Sequence, residues 1–192
     1  MLLAPLLGIN VALLPLQLLW LNLLTDGLLG LGLGVESAER DTMKAPPRSP
    51  KASLFSGGLA GHVIWVGALI GAIALLTGFL YYDPLYPDDK TWQTMIFTTL
   101  AFLQIFQAFA SRSNSASVLK SGWTSNPTLL AMAAVTFVLQ LGAIYLPFLE
   151  DFFGVVPLKP LDLMTSFLLG SLSLVAIEIE KALRRGGKPA AA

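Results

Sequence analysis

The sequence of 192 residues contains no cysteine, a single histidine and only 12% charged residues. Without cysteine the chain has no disulfide, no thiolate metal site and no cysteine nucleophile. Basic residues number 12 and acidic residues number 12, so the net charge is zero and no basic surface is offered to nucleic acid. What the chain has instead is apolar residues, which make up 55% of it and give a mean hydropathy of +0.70.

Several apolar runs approach or exceed the ~20 residues that a helix needs to cross a bilayer. We therefore predict an all-α, polytopic membrane helix bundle with five spanning helices and a short N-terminal partial helix. The partial helix is assigned to residues 2–14, and Pro15 suits the first turn of the next helix because its missing N–H does no harm there. Asp162 is the predicted N-cap of the last helix. The predicted spans are residues 15–32, 54–81, 92–110, 127–146 and 162–183.

Prolines, charges and small polar residues predict loops at residues 35–53, 83–91, 111–126 and 147–160. Ten of the 12 lysine and arginine residues lie in 35–53, in 111–126 and at the C-terminal end. The positive-inside rule then places these three regions in the cytoplasm. We expect an integral membrane protein, in the plasma membrane, with one membrane domain over 1–185 and a disordered tail over 186–192.

The first spanning helix carries a carboxylate, Asp26, inside an apolar run. Asn22, Thr25 and Asp26 are spaced i, i+3 and i+4, which puts three oxygen-bearing side chains on one face of a helix. Oxygen ligands of this kind suit a hard or alkali cation. The glycines that follow are expected to loosen the helix and to free backbone carbonyls for an ion. The alternative is that Asp26 pairs with a neighbouring helix and binds nothing.

Polar residues in the later helices have simpler interpretations. His62 is expected to form a hydrogen bond to a neighbouring helix rather than to bind metal. Glu178 and Glu180, near a basic helix end, are expected to be solvated or paired, with Glu180 and Arg184 forming an i, i+4 pair.

Two stretches in order resemble one known family. Residues 17–27, Q-L-L-W-L-N-L-L-T-D-G, resemble the sixth transmembrane helix of calcium-pump-type P-type ATPases. Residues 41–48, D-T-M-K-A-P-P-R, resemble the loop that follows this helix in that family, and residues 158–163, L-K-P-L-D-L, resemble the approach to its last helix. The resemblance covers essentially the whole chain and implies the C-terminal transmembrane domain, from the end of the fifth helix through the tenth.

The resemblance also implies roles for single residues. Asn22, Thr25 and Asp26 would coordinate the transported cation, with Asp26 as the central carboxylate. Gln104 falls where some members place a glutamate ligand, and its amide supplies an oxygen without a charge. Gln107, one turn further along the helix, is a candidate for positioning the Gln104 amide without contacting the cation itself. No cofactor is implied for this chain. The transported cation would be Ca²⁺, with Mg²⁺, Mn²⁺, Na⁺ or H⁺ as alternatives.

The motifs that power such pumps are missing from the sequence. Asp89-Lys90-Thr91 begins like the phosphorylated D-K-T-G-T motif, but Trp92 follows, so we interpret the match as coincidence. No stretch is long enough for a nucleotide-binding domain. The chain is thus expected to be inactive as an ATPase alone and to need, besides the lipid bilayer, the catalytic part of a pump. A truncated gene, a split subunit or a miscalled start would each explain this, and the alternative function is a stand-alone membrane subunit or regulator.

Overall fold

A computed structural model describes residues 12–37, 59–86, 88–113, 117–118, 122 and 124–186. These residues form six helices and no strand. All but the fifth are long and apolar enough to cross a membrane, which confirms the predicted all-α bundle with five spans. The helices are α1, Pro15–Gly34; α2, Leu59–Tyr81; α3, Thr91–Ala110; α4, Pro127–Tyr145; α5, Pro147–Phe153; and α6, Pro160–Gly186.

Several predictions fall on residues outside this description. They concern nearly all of the N-terminal partial helix, of which only Ala12–Leu14 are described and are not helical. They also concern most of the loop over 35–53, the first residues of the second span, and positions 187–192 of the predicted tail.

Four of the described helices begin at a proline, and two of these starts differ from the predictions. Pro15 opens α1 as predicted. The predicted cap at Asp162 is wrong: α6 already begins at Pro160, and Asp162 lies in its first turn, where a carboxylate faces the positive end of the helix dipole. The predicted loop over 147–160 is also wrong in its first half, which forms α5. Pro147 provides the fixed φ of a first helical residue, and Gly154, with φ +63°, ends the helix.

Helix α3 lies at the centre of the bundle. About 72% of its membrane-spanning segment is buried within the bundle, compared with 22–33% for the other four spans. Gly170 of α6 allows the closest approach: a Cβ there would lie 2.5 Å from Phe102 Cβ and 3.0 Å from the Phe102 carbonyl carbon. One turn on, the Ser173 hydroxyl donates to the Leu103 carbonyl over 3.2 Å. Small residues at such crossings let membrane helices gain van der Waals contact, which replaces the hydrophobic drive that lipid removes.

The Gly34 end of α1 is fixed by a buried ionic cluster. The Arg112 guanidinium, 4% exposed, donates to both Glu36 carboxylate oxygens at 2.9 Å and to the Gly122 carbonyl at 3.0 Å. Asn126 donates from Nδ2 to Glu36 Oε2 over 2.7 Å and to the Gly32 carbonyl over 3.0 Å. The same Asn126 accepts from the Leu129 amide and so caps α4. One cluster thus joins the ends of α1 and α3 to the start of α4.

The Pro15 end of α1 is held by neutral hydrogen bonds. Gln17, fully buried, accepts from the Leu14 amide at 3.0 Å and donates from Nε2 to the Phe153 carbonyl at 2.9 Å. The Trp20 ring meets the Phe153 ring edge-on, with centroids 4.8 Å apart, and its indole N–H donates to Gln140 Oε1 over 3.0 Å. Helix α1 is therefore attached at both ends to the rest of the bundle.

Replacing Gly170 with alanine should destabilise the chain, because the new Cβ collides with the Phe102 backbone and forces α3 and α6 apart. We expect the free energy of unfolding to fall by about 1–3 kcal/mol. The measurement is Tm in detergent micelles, which should fall by about 2–4 °C for each kcal/mol. Gly71→Ala is the matched control, since nothing lies within 4 Å of its Cβ position. Equal Tm values for the two variants would contradict the close α3–α6 approach.

Stability should also depend on pH through Glu36. Hydrogen bonding to the Arg112 guanidinium, against some desolvation, holds the pKa of Glu36 below its usual 4.5. A lowered folded-state pKa stabilises the fold above the unfolded value, and this contribution is lost as pH falls through the folded value. Glu36→Gln should cost about 1–3 kcal/mol near neutral pH, because Arg112 keeps its burial and loses its counter-charge.

The measurement is Tm against pH from about 6 down to 3.5 for wild type and Glu36→Gln. The difference in Tm between wild type and Glu36→Gln should be largest above pH 4.5 and should decrease below it. Glu150→Gln, a change in α5 at the other end of the bundle, should follow the wild-type curve. A gap that stays constant over the whole range would show that the Glu36 charge does not stabilise the fold.

Candidate cation-binding face of helix α1

Helix α1 changes its winding at the residues that the sequence singles out. Pro15–Trp20 is α-helical, Leu21–Thr25 is π-helical, and Asp26–Gly34 is α-helical again. The Asp26 amide donates to the Leu21 carbonyl, five residues back. The glycines were expected to loosen the helix, but the wider turn precedes them, and all four lie in the regular Asp26–Gly34 segment without interrupting it. Single π turns inside α-helices are frequently found at functional sites.

Asn22 and Asp26 lie on an open face of α1. Both are exposed, and they stand one turn apart, so the amide and the carboxylate share one side of the helix. The same face continues past Gly27, Gly30 and Gly34, where a Cβ would meet nothing within 4 Å. A carboxylate at the centre of a spanning helix costs about 2.5–3.5 kcal/mol on insertion scales. This face therefore needs a polar partner or a cation.

Thr25 lies on the other side of the helix. Its side chain is fully buried, and its hydroxyl has no hydrogen-bond partner in the described part of the chain. It forms one stripe with Leu29 and Gly32, at i+4 and i+7, and a Cβ at Gly32 would lie 2.8 Å from Leu129 Cα of α4. The structure thus brings two of the three predicted α1 ligands to one face and turns the third to the buried side of the helix, which packs against α3 and α4.

Gln104 and Gln107 lie on the central helix α3. Gln104 is half-buried, and its Oε1 is shielded from solvent without a partner among the described residues. An amide oxygen held in this way can accept from a donor or bind a cation. Gln107, one turn on, is also half-buried. The site residues of α1 and α3 therefore offer oxygen atoms and one carboxylate, which is the donor chemistry of a hard cation and not of a soft metal.

His62, Glu180 and Asp89 have protein partners. As predicted, His62 bonds a neighbouring helix: its Nδ1 lies 2.8 Å from Glu180 Oε2, and Glu180 also pairs with Arg184. Within the described residues, no group of three histidine, aspartate or glutamate side chains could hold a metal. In the segment that begins like a phosphorylation motif, the Asp89 carboxylate accepts from the Thr91 amide at 2.9 Å and from its hydroxyl at 2.6 Å, which is a local turn before α3.

The residues that hold α1 in place were not found from the sequence. Gln17, Gln140 and Arg112 each bond a partner more than ten residues away or in another element. The available signal was their polarity: two amides interrupt apolar spans, where buried polar residues usually bond across helices. Pairing Arg112 with Glu36, 76 positions apart, required the folded chain.

Comparison with known proteins agrees with this architecture. The family model for the C-terminus of cation-transporting ATPases matches residues 10–183. A calcium-transporting ATPase of Bacillus subtilis (strain 168) is 36% identical over 85% of this chain and 18% of its own length. Calcium-transporting ATPase 1 of Bacillus cereus is 36% identical over 95% of this chain and 22% of its own length. Calcium-transporting ATPase type 2C member 1 of Mus musculus is 34% identical over 88% and 18%, respectively.

The chain spans about one fifth of the length of these relatives, and the shared part is their C-terminal membrane region. A match over this much of the chain, together with five apolar helices in the expected order, leads to one conclusion. The chain belongs to the family of C-terminal membrane domains of cation-transporting P-type ATPases.

Proposed function

We propose that this chain is the membrane part of a P-type cation pump and carries one half of its cation-binding site. The observation that supports the proposal is the open face of α1, where Asn22 and Asp26 stand exposed beside a π-helical turn. A carboxylate on that face is costly in a membrane unless a cation or another polar helix covers it. The remaining ligands would come from transmembrane helices outside this chain.

The cation that this half-site suits is Ca²⁺, with Mg²⁺, Mn²⁺, Na⁺ and H⁺ as alternatives. Asp26 supplies the negative charge, Asn22 a neutral oxygen one turn away, and Gln104 an uncharged oxygen from α3. Thr25 would contribute its hydroxyl only after turning from the buried side of α1 towards the open face. Gln107 would support Gln104.

Transport requires that the binding face change shape when the pump is phosphorylated elsewhere. Helix α1 suits this because both of its ends are attached while its middle is wound as a π-helix. A π turn is a ready place for a change of winding, since the regular i→i+4 pattern is already interrupted there. The chain alone has no means of ATP hydrolysis, so the proposed partner is the catalytic part of the pump, as a separate polypeptide or as a continuous one.

The proposed location is the plasma membrane, with residues 35–53 and 111–126 and the C-terminus in the cytoplasm. The Glu36–Arg112 cluster would then lie at the cytoplasmic end of the bundle. In that position it would fix the end of α1 next to the loop that faces the catalytic domains.

A chimera tests this proposal. The chain replaces the matching C-terminal region of the Bacillus subtilis calcium-transporting ATPase, and ATP hydrolysis and calcium uptake are measured in membrane vesicles. Asp26→Asn should lower the apparent calcium affinity at least about tenfold, which corresponds to roughly 1.4 kcal/mol, because the only carboxylate of the half-site is lost. Asp88→Asn, the same change at an exposed position before α3, is the matched control and should have no effect.

Two results would count against the proposal. Unchanged calcium affinity in an active Asp26→Asn chimera would remove Asp26 from the site. A chimera that is correctly inserted but inactive, together with binding of the separate chain to an intact pump, would favour the alternative of a membrane subunit or regulator without transport of its own.

A further inference from the structure

Helix α4 carries two buried polar side chains that each have an atom without a hydrogen-bond partner among the described residues. Thr136 is 2% exposed and its Oγ1 has no partner, and Gln140 is fully buried with an unpartnered Nε2. The two residues are four positions apart, so they lie on one face, one turn from each other. Neither belongs to the cation-binding face of α1.

The orientation of the Gln140 amide is fixed by chemistry. Trp20 Nε1 lies 3.0 Å from Gln140 Oε1, and an indole nitrogen can only donate. The amide oxygen must therefore face Trp20, which leaves the NH₂ group pointing elsewhere. That group carries two donors, and no acceptor for them lies within the described residues.

Thr25 adds a third group to the same place. Trp20 pairs with Gln140 and Gly32 with Leu129, so residue numbers rise along α1 while they fall along α4. Thr25 is five residues after Trp20, and the residue five before Gln140 is at position 135. Thr25 is also seven residues before Gly32, and the residue seven after Leu129 is at position 136. Thr25 lies on the buried stripe of α1, whose Leu29 and Gly32 pack against α3 and α4. Its buried hydroxyl, without a partner among the described residues, is therefore at the level of Thr136 along α4.

The chemistry of the three groups selects the ligand. The Gln140 NH₂ offers only donors and would repel a cation, whereas each threonine hydroxyl can donate and accept. A ligand must therefore accept from the amide and also bond the hydroxyls while carrying no charge. Water meets these requirements, and buried waters typically make two to four hydrogen bonds to polar groups that would otherwise stay unpaired. An acyl chain would leave all three groups unpaired, which is costly in a membrane.

We propose that Thr25, Thr136 and Gln140 bind an internal water molecule between α1 and α4, on the side of α1 away from Asn22 and Asp26. The water holds the Thr25 hydroxyl towards α4 and makes the α1–α4 contact a hydrated one. Because Trp20 and Gln140 set the position of the amide, the site is built by side chains of both helices. The test below measures contact with water and requires no ion transport by the chain.

The test is a water-selective NMR experiment on the full chain in lipid nanodiscs, with ¹⁵N in the glutamine side chains. The sequence has five glutamines, and the Gln140 signal is assigned by its loss in Gln140→Leu. A rotating-frame Overhauser experiment separates dipolar contact with water from proton exchange by sign. We expect a dipolar cross-peak between water and the Gln140 NH₂ group.

Gln17 is the matched control, because it is equally buried and both ends of its amide are bonded to protein. It should show no water cross-peak. Thr136→Val keeps the shape of the side chain and removes its hydroxyl, so the Gln140 cross-peak should weaken severalfold, and Thr136→Ser should restore it.

A Gln140 signal as free of water contact as that of Gln17, in a chain with an otherwise unchanged spectrum, would overturn the proposal. A Gln140 cross-peak that is unaffected by Thr136→Val would also overturn it, because Thr136 would then not share the water.

Discussion

The Arg112 guanidinium, almost entirely removed from solvent, holds three parts of the bundle at once. It bonds Glu36 after α1 through two parallel hydrogen bonds and bonds the Gly122 carbonyl before α4, while its own backbone follows α3. An arginine fits this role because its planar fork of donors matches a carboxylate and a carbonyl together. Removing the Glu36 charge leaves the buried Arg112 guanidinium without its counter-charge, which makes the cluster a strong constraint on where α1 ends.

With one end fixed by charge and the other by the Gln17 and Trp20 hydrogen bonds, α1 can keep an open face without leaving the bundle. Its inner stripe, through Leu29 and Gly32, packs against α4 and α3. Its outer face, with Asn22 and Asp26, is exposed among the described residues. The π turn lies between these two attachments, so the polar residues and the irregular winding occupy the same short stretch.

The central position of α3 explains why polar residues are tolerated inside the membrane region. Most of α3 is shielded by other helices, so Thr98, Thr99 and Gln104 face protein instead of lipid. Buried polar atoms in such places favour hydration or ion binding, because the alternative is an unpaired dipole in a medium without water. The amides and hydroxyls along α1, α3 and α4 therefore divide into two groups: an oxygen-bearing group that suits a cation and, around Gln140, a group that suits water.

The sequence alone determined the fold class, the five spans, the opening of α1 at Pro15 and the i, i+4 pair of Glu180 and Arg184, because each depends on local composition or on helical spacing. It also predicted a hydrogen bond from His62 to a neighbouring helix, but not that Glu180 is the partner. It further located Asp26 in the first spanning helix, since a charge in an apolar run is visible without a structure. It did not determine α5, because a two-turn helix between prolines has the composition of a loop. It could not show that Thr25 points away from Asp26 or that Arg112 meets Glu36. Those facts depend on where the π turn falls and on which helices pack together, and only the tertiary structure decides them, because the rotation of a helix about its axis is set by its neighbours.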